Sequence, residues 1–104
     1  MAVTSKVLAR TAAATSSTTL YTVPTTSTTT VVTNIVISNA AATSSTATVS
    51  LDGIVVVPAI SIGANSVFGF DLKQVIPANA TPKIITGFAS STSVTFHISG
   101  VEIV

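Results

Sequence analysis

Forty-four of the 104 residues are Val, Ile or Thr, and no other feature narrows so far what this chain can fold into. These side chains branch at Cβ, are stiff about their first torsion, and pack best on a pleated, half-buried surface. Ser and Thr together make 33 residues. Tracts such as Thr11–Thr19 therefore admit a competing reading as a disordered, hydroxyl-rich stalk. The 15 Val and 10 Ile, nearly all of them after Thr30, decide against it. At this length the expectation is one all-β domain around one core.

Turn chemistry divides the chain into seven or eight short strands. Thr19–Val23 ends at Pro24, which cannot donate a ladder hydrogen bond. Thr30–Asn39 carries apolar residues on both faces and reads as a central strand, with Thr33, Ile35 and Ile37 sharing one side. Thr46–Leu51 alternates with Ala47, Val49 and Leu51 inward. Asp52-Gly53 is the strongest hairpin signal and hands over to Ile54–Val57. Pro58, Gly63-Ala64-Asn65, the Pro77–Pro82 loop and Ser90–Ser93 punctuate the rest. Ser66–Leu72 reads as one strand, Lys83–Ala89 as another. In Val94–Ile98, Val94, Phe96 and Ile98 face inward, and Gly100 is a candidate bulge before Val101–Val104. The expected core is Ile35, Ile37, Val49, Leu51, Phe68, Phe70, Val94, Phe96 and Ile98, with Phe88 beside them. Strands at this spacing point to an antiparallel β-sandwich or jelly roll over residues 19–104.

Residues 1–18 behave differently. A short helix would set Lys6 and Arg10 four apart as like charges, and the Ser/Thr density makes a free-standing helix marginal. The segment reads instead as an extended N-terminal arm. Val3, Lys6, Val7, Leu8 and Arg10 are its candidate docking residues. On this reading, removing residues 2–18 leaves a folded sandwich.

Charge excludes several functions. Seven charged residues, net +1, are 7% of the chain, against roughly 25% in an ordinary domain. Nucleic-acid binding would need clustered Lys and Arg, and a polybasic membrane anchor is equally unsupported. The most apolar run, Ile54–Ile60, is broken by Pro58 and falls far short of the ~20 residues of a membrane helix. No signal-peptide pattern follows Lys6, so synthesis in a cytoplasm is expected. With no cysteine there is neither a disulfide framework nor a thiolate nucleophile. His97 is the only histidine and alternates outward, and no Gly-x-Ser-x-Gly turn is present. Asp52 is accounted for by its turn, and Asp71 is expected to pair with Lys73. Three scattered acids do not make a calcium site, and the glycines lack a phosphate-binding spacing. Asn79-Ala80-Thr81 fits a glycosylation sequon, a weak signal without a secretory leader. The reading is a non-enzyme without cofactor or metal. A carbohydrate-binding module would want exposed aromatic platforms, and only Tyr21, near a strand end and with its hydroxyl expected in water, stays in play.

The 41 residues from Thr11 to Leu51 contain no charge. A free monomer guards its sheet edges with charges or proline, and so weakly charged a surface favours association. Hydroxyl-rich faces can bond across an interface without the desolvation cost of buried charges. A structural, assembling role follows.

Several segments carry a resemblance. Lys6-Val7-Leu8-Ala9-Arg10, then Thr19–Pro24, the strand Val31–Asn39, the hairpin Ser50-Leu51-Asp52-Gly53 and the closing Ser99-Gly100-Val101-Glu102-Ile103 resemble small β-sandwich virion proteins of tailed bacteriophages. The likeness covers nearly the whole chain through structural motifs of low specificity. It departs at Lys73–Pro77, where a glycine turn would be expected. The resemblance implies a capsid decoration (cement) protein on the outer surface of the head. Such a protein is a homo-oligomer, with a trimer expected, that bridges major capsid protein subunits, and Lys6 and Arg10 would pair with acidic capsid residues. A tail or neck component is the alternative, and a host-surface or glycan-binding module on the virion a more distant one.

Overall fold

The computed structural model describes residues 2–104. The chain forms eight strands and no helix among them: β1 (Val3–Ala12), β2 (Thr18–Thr22), β3 (Thr29–Asn39), β4 (Ser45–Leu51), β5 (Ile54–Ile62), β6 (Ser66–Ile76), β7 (Ile84–Ala89) and β8 (Val94–Ile103). They make two four-stranded antiparallel sheets, β1-β8-β3-β6 and β2-β7-β4-β5. The pairs β1–β8, β2–β7, β3–β6 and β4–β5 nest inside one another, as if one long hairpin had been rolled up. This is a β-sandwich with jelly-roll winding. The tip of the rolled hairpin is Asp52-Gly53, whose φ values of 53° and 77° supply the two left-handed residues of a tight turn.

The core lies between the sheets. Ile35, Ile37, Val49, Leu51, Val94, Phe96 and Ile98 are buried in it, with Val32, Val57, Ile62, Ile76 and Ile85. Phe70 is half-buried against this cluster. Phe68 and Phe88 depart from the sequence expectation, at 38% and 37% exposed. Phe68 opposes the buried Ile37, but on edge strand β6, where no further strand covers it. Phe88 opposes Thr48 on the outward side of its sheet, between the buried Gly87 and Ala89.

Three strand readings also change. The segment expected to stand apart as an arm over residues 1–18 contains β1, an integral strand with nine residues in register with β8; Met1 lies outside the described residues. Residues 73–76, where a glycine turn was expected, continue β6 to Ile76. The bulge expected at Gly100 falls on the strands flanking it. Leu8 has no counterpart in β8, and neither does Thr33. Thr33 also faces two residues of β6, Leu72 and Lys73. An extra residue inverts the in-out parity of everything beyond it. Val32 is consequently buried with Ile35 and Ile37, and Thr33 is not.

Gly100 sits where these irregularities meet. A Cβ there would collide with the Val31 carbonyl oxygen and reach 2.8 Å from Leu8 Cδ1. Leu8, 6% exposed, fills the space a side chain would take.

Candidate assembly surfaces

The five candidate docking residues of the N-terminal segment separate in the structure. Leu8 belongs to the core. Lys6 forms an ion pair with Glu102 at 3.3 Å. Val3 and Val7 remain exposed, and Arg10 is exposed opposite His97 of β8. Val3, Val7 and Arg10 thus line a free sheet edge, since β1 ends its sheet.

Lys6 reaches a polar node that sequence reasoning missed. The Tyr21 hydroxyl, on β2, donates to Glu102 Oε2 on β8 at 2.5 Å and lies 2.8 Å from Thr30 Oγ1 on β3. Burial, reinforced by the Glu102 carboxylate, pushes the Tyr21 phenol up to about 12. Tyr21 was expected to keep its hydroxyl in water; it is instead a buried cross-link between the sheets. No local pattern signals this, because Tyr21 and Glu102 are 81 residues apart in sequence.

The other polar residues are occupied structurally. Asp52 pairs with Lys83 at 3.2 Å. Asp71 accepts a hydrogen bond from Asn34 Nδ2 at 2.9 Å, and its expected pairing with Lys73 is absent. His97 Nε2 lies 3.2 Å from Thr95 Oγ1, which in turn bonds Ser38 Oγ, forming a hydroxyl row on the outer face of the first sheet. Asn39, 2% exposed, donates to the carbonyls of Thr43, Ile62 and Gly63 and accepts from Ala41 N–H. It fastens the β3–β4 loop to the β5–β6 turn. Asn79 Oδ1 accepts from Thr81 N–H, closing a local turn in the proline-flanked loop.

Two concavities stand out on the surface. A shallow, open one of ≈ 370 Å³ lies over the bulged line of the first sheet, lined by Ser5, Val7, Thr33, Ser99 and Val101 with Lys6 and Gly100. The second, ≈ 120 Å³, lies between the edge strands β5 and β6 and is lined by Val56, Val57, Pro58, Ile60, Phe68 and Phe70. Among the described residues, no three His, Asp or Glu side chains gather in a metal-binding arrangement. Among the described residues, no helix is long and apolar enough to cross a membrane.

No family model matches the chain, and no curated protein matches its sequence. Solved structures do share its fold. A chain in the structure of infectious bursal disease virus, Gx strain, is 15% identical with a TM-score of 0.50. A chain in the crystal structure of the T13 particle of the same virus is 12% identical with a TM-score of 0.52. Each match covers 97% of this chain and 30% of the other, so the present fold corresponds to under a third of those chains. At such identities the likeness establishes a common β-sandwich architecture.

Proposed function

We propose that this protein is a structural subunit of a virus particle, a capsid decoration protein that sits on the outer surface of the head and bridges major capsid protein subunits. The observation that carries this reading is the β-sandwich fold, for which chains from virus-particle structures match over 97% of this chain. Fold alone does not specify function. The surface adds to it: the residues from Thr11 to Leu51 are uncharged, and the polar side chains described above, Arg10 apart, are engaged in cross-links and turns. The tailed-bacteriophage resemblance supplies the particle type.

In this role the protein works mechanically, as a homo-oligomer whose interfaces oppose displacement of the capsid subunits beneath it. Docking to the capsid falls to Val3, Val7 and Arg10 on the free β1 edge. Arg10 provides the cation for an acidic partner, while Lys6 is held by Glu102.

Copy number per particle tests the proposal, by quantitative mass spectrometry of purified virions against the major capsid protein. A ratio near one to one, or a simple fraction set by lattice sites, is the expected result. A few copies up to a few dozen would move the assignment to the tail or neck, and absence from the particle would overturn both.

A further inference from the structure

The sandwich is open along one long side. Edge strands β5 and β6 belong to different sheets and scarcely touch, so side chains that should lie under cover meet solvent between them. Val67 and Val75 on β6 are 67% and 57% exposed, and Ile54 and Val55 on β5 are 73% and 52% exposed. A groove lined by Val56, Pro58, Ile60, Phe68 and Phe70 opens between the two strands, and Val67, Val75 and Val55, which stand opposite Ser38, Val31 and Ser50 on the outward faces of their sheets, flank it. Monomeric proteins seldom leave an apolar strip of this kind bare.

We infer that this strip is the contact with a second copy of the same chain, related by a two-fold axis beside Leu72. Charge placement argues for self-recognition. β6 carries one acid and one base, Asp71 and Lys73, immediately either side of Leu72; β5 carries none. Lys73 has no ion-pair partner among the described residues. A two-fold axis at Leu72 sets β6 antiparallel to its copy, bringing Asp71 of each protomer to Lys73 of the other. Two ion pairs result from one symmetric contact, as an isologous interface requires.

The apolar surface is complementary in the same sense. β5 and β6 run in opposite directions, so Ile54 and Val55 stand near the Val75 end of the strip and Ile60 near the Phe68 end. The two-fold axis lays Ile54 of one copy over the Pro58–Ile60 end of its partner's groove and sets the flanking Val75 beside the partner's Gly69 and Val67. A groove of ≈ 120 Å³ is small for a ligand site, since such pockets usually exceed ~300 Å³. The whole strip is larger: the 11 residues of β6 span about 36 Å at ~3.3 Å each. Across the ~10 Å between packed sheets that gives roughly 360 Å², to which the flanking Val55, Val67 and Val75 add, against about 800 Å² per partner in a standard interface. Contact is by side-chain packing, because the Leu72–Lys73 irregularity in β6 and the left-handed Ala59 after Pro58 in β5 break both edges as templates for strand addition.

The contact is independent of the virion role, because it is measured on the isolated protein. It replaces the trimer implied by the resemblance with a dimer. Light scattering behind size-exclusion chromatography at micromolar concentration should give twice the chain mass. Val67→Glu with Val75→Glu should halve that mass while circular dichroism and thermal midpoint show a folded sandwich, since both side chains are exposed. Lys73→Asp should raise the dissociation constant roughly tenfold or more, and adding Asp71→Lys should recover most of that loss by restoring the pairs in reverse. A wild-type monomer, a trimer, or a dimer unmoved by Lys73→Asp would each overturn the inference.

Discussion

Tyr21 and Glu102 share a 2.5 Å hydrogen bond that joins β2 of one sheet to β8 of the other. Lys6 closes on the same carboxylate from β1 at 3.3 Å, and Thr30 meets the phenol from β3. Four strands thus converge on one partly buried polar node. Buried polar groups that are fully partnered fix one arrangement of their surroundings, and removing a partner is costly.

That node makes stability fall at high pH. The folded protein holds the Tyr21 proton up to about 12, against the ordinary 10. Between those values the unfolded chain binds fewer protons than the folded one, so stability is complete below pH 10 and declines as pH rises toward 12. A shift of that size corresponds to a few kcal/mol at most. Urea unfolding at stepped pH should show this decline in the native protein. Tyr21→Phe should abolish it, and should also lower stability at pH 7 by about 1–3 kcal/mol through the lost bond.

Gly100→Ala should be severely destabilising although the change is one methyl group. The added Cβ would strike the Val31 carbonyl oxygen, which is backbone in a central strand, and crowd Leu8 Cδ1. Neither strand can retreat without breaking the β3–β8 and β1–β8 ladders. Overpacking costs typically 1–3 kcal/mol, and rigid surroundings place this site at the upper end. Gly53→Ala, in open space at φ 77°, should cost about 1 kcal/mol through backbone strain alone. Thermal unfolding of the pair checks the order; equal losses would show that the β8 contact can relax.

Alternation was a good guide wherever a strand runs unbroken. Val94, Phe96 and Ile98, or Ala47, Val49 and Leu51, are buried because every second residue faces the core. The guide failed at Val32, because the extra residue Thr33 resets the parity and bulges carry no composition signal when no glycine forms them. It failed at Phe68 for another reason: alternation gives the direction of a side chain but not whether a neighbouring strand covers it. Residues 3–12 looked separable because their apolar residues do not alternate cleanly. The bulge at Leu8 explains why, as Leu8 and Ala9 are consecutive and both buried. Of the assembly surfaces, the uncharged stretch was visible in composition, whereas the open β5–β6 side depends on which strands end the sheets.

Deleting residues 2–12 should therefore unfold the domain rather than merely release it from a partner. The deletion strips the ladder from β8, leaves Glu102 without Lys6, and removes Leu8 and Ala9 from the core. Circular dichroism and proteolysis should report a loss of cooperative structure. A truncated chain with a native-like thermal midpoint would mean that β1 is an accessory strand. The docking role of this edge is tested by Arg10→Glu, which leaves β1 paired and should weaken particle decoration with little change in midpoint.

Phe96 and Phe88 provide an internal comparison of the same side chain in two settings. Phe96 is wholly buried between the sheets, whereas Phe88 stands 37% exposed on the outer face. Phe96→Ala leaves a cavity that neighbouring Ile37 and the other core side chains cannot fill, at a cost of about 3–5 kcal/mol. That is a large share of the roughly 5–15 kcal/mol that holds a domain together, so the variant should be largely unfolded near 37 °C. Phe88→Ala opens no cavity and forfeits only partial burial, so it should cost about 1 kcal/mol or less. Chemical denaturation of the two variants measures the difference directly. A Phe88 loss as large as that of Phe96 would mean that the outer face of the second sheet is covered, by another copy or another protein, under the conditions of the measurement.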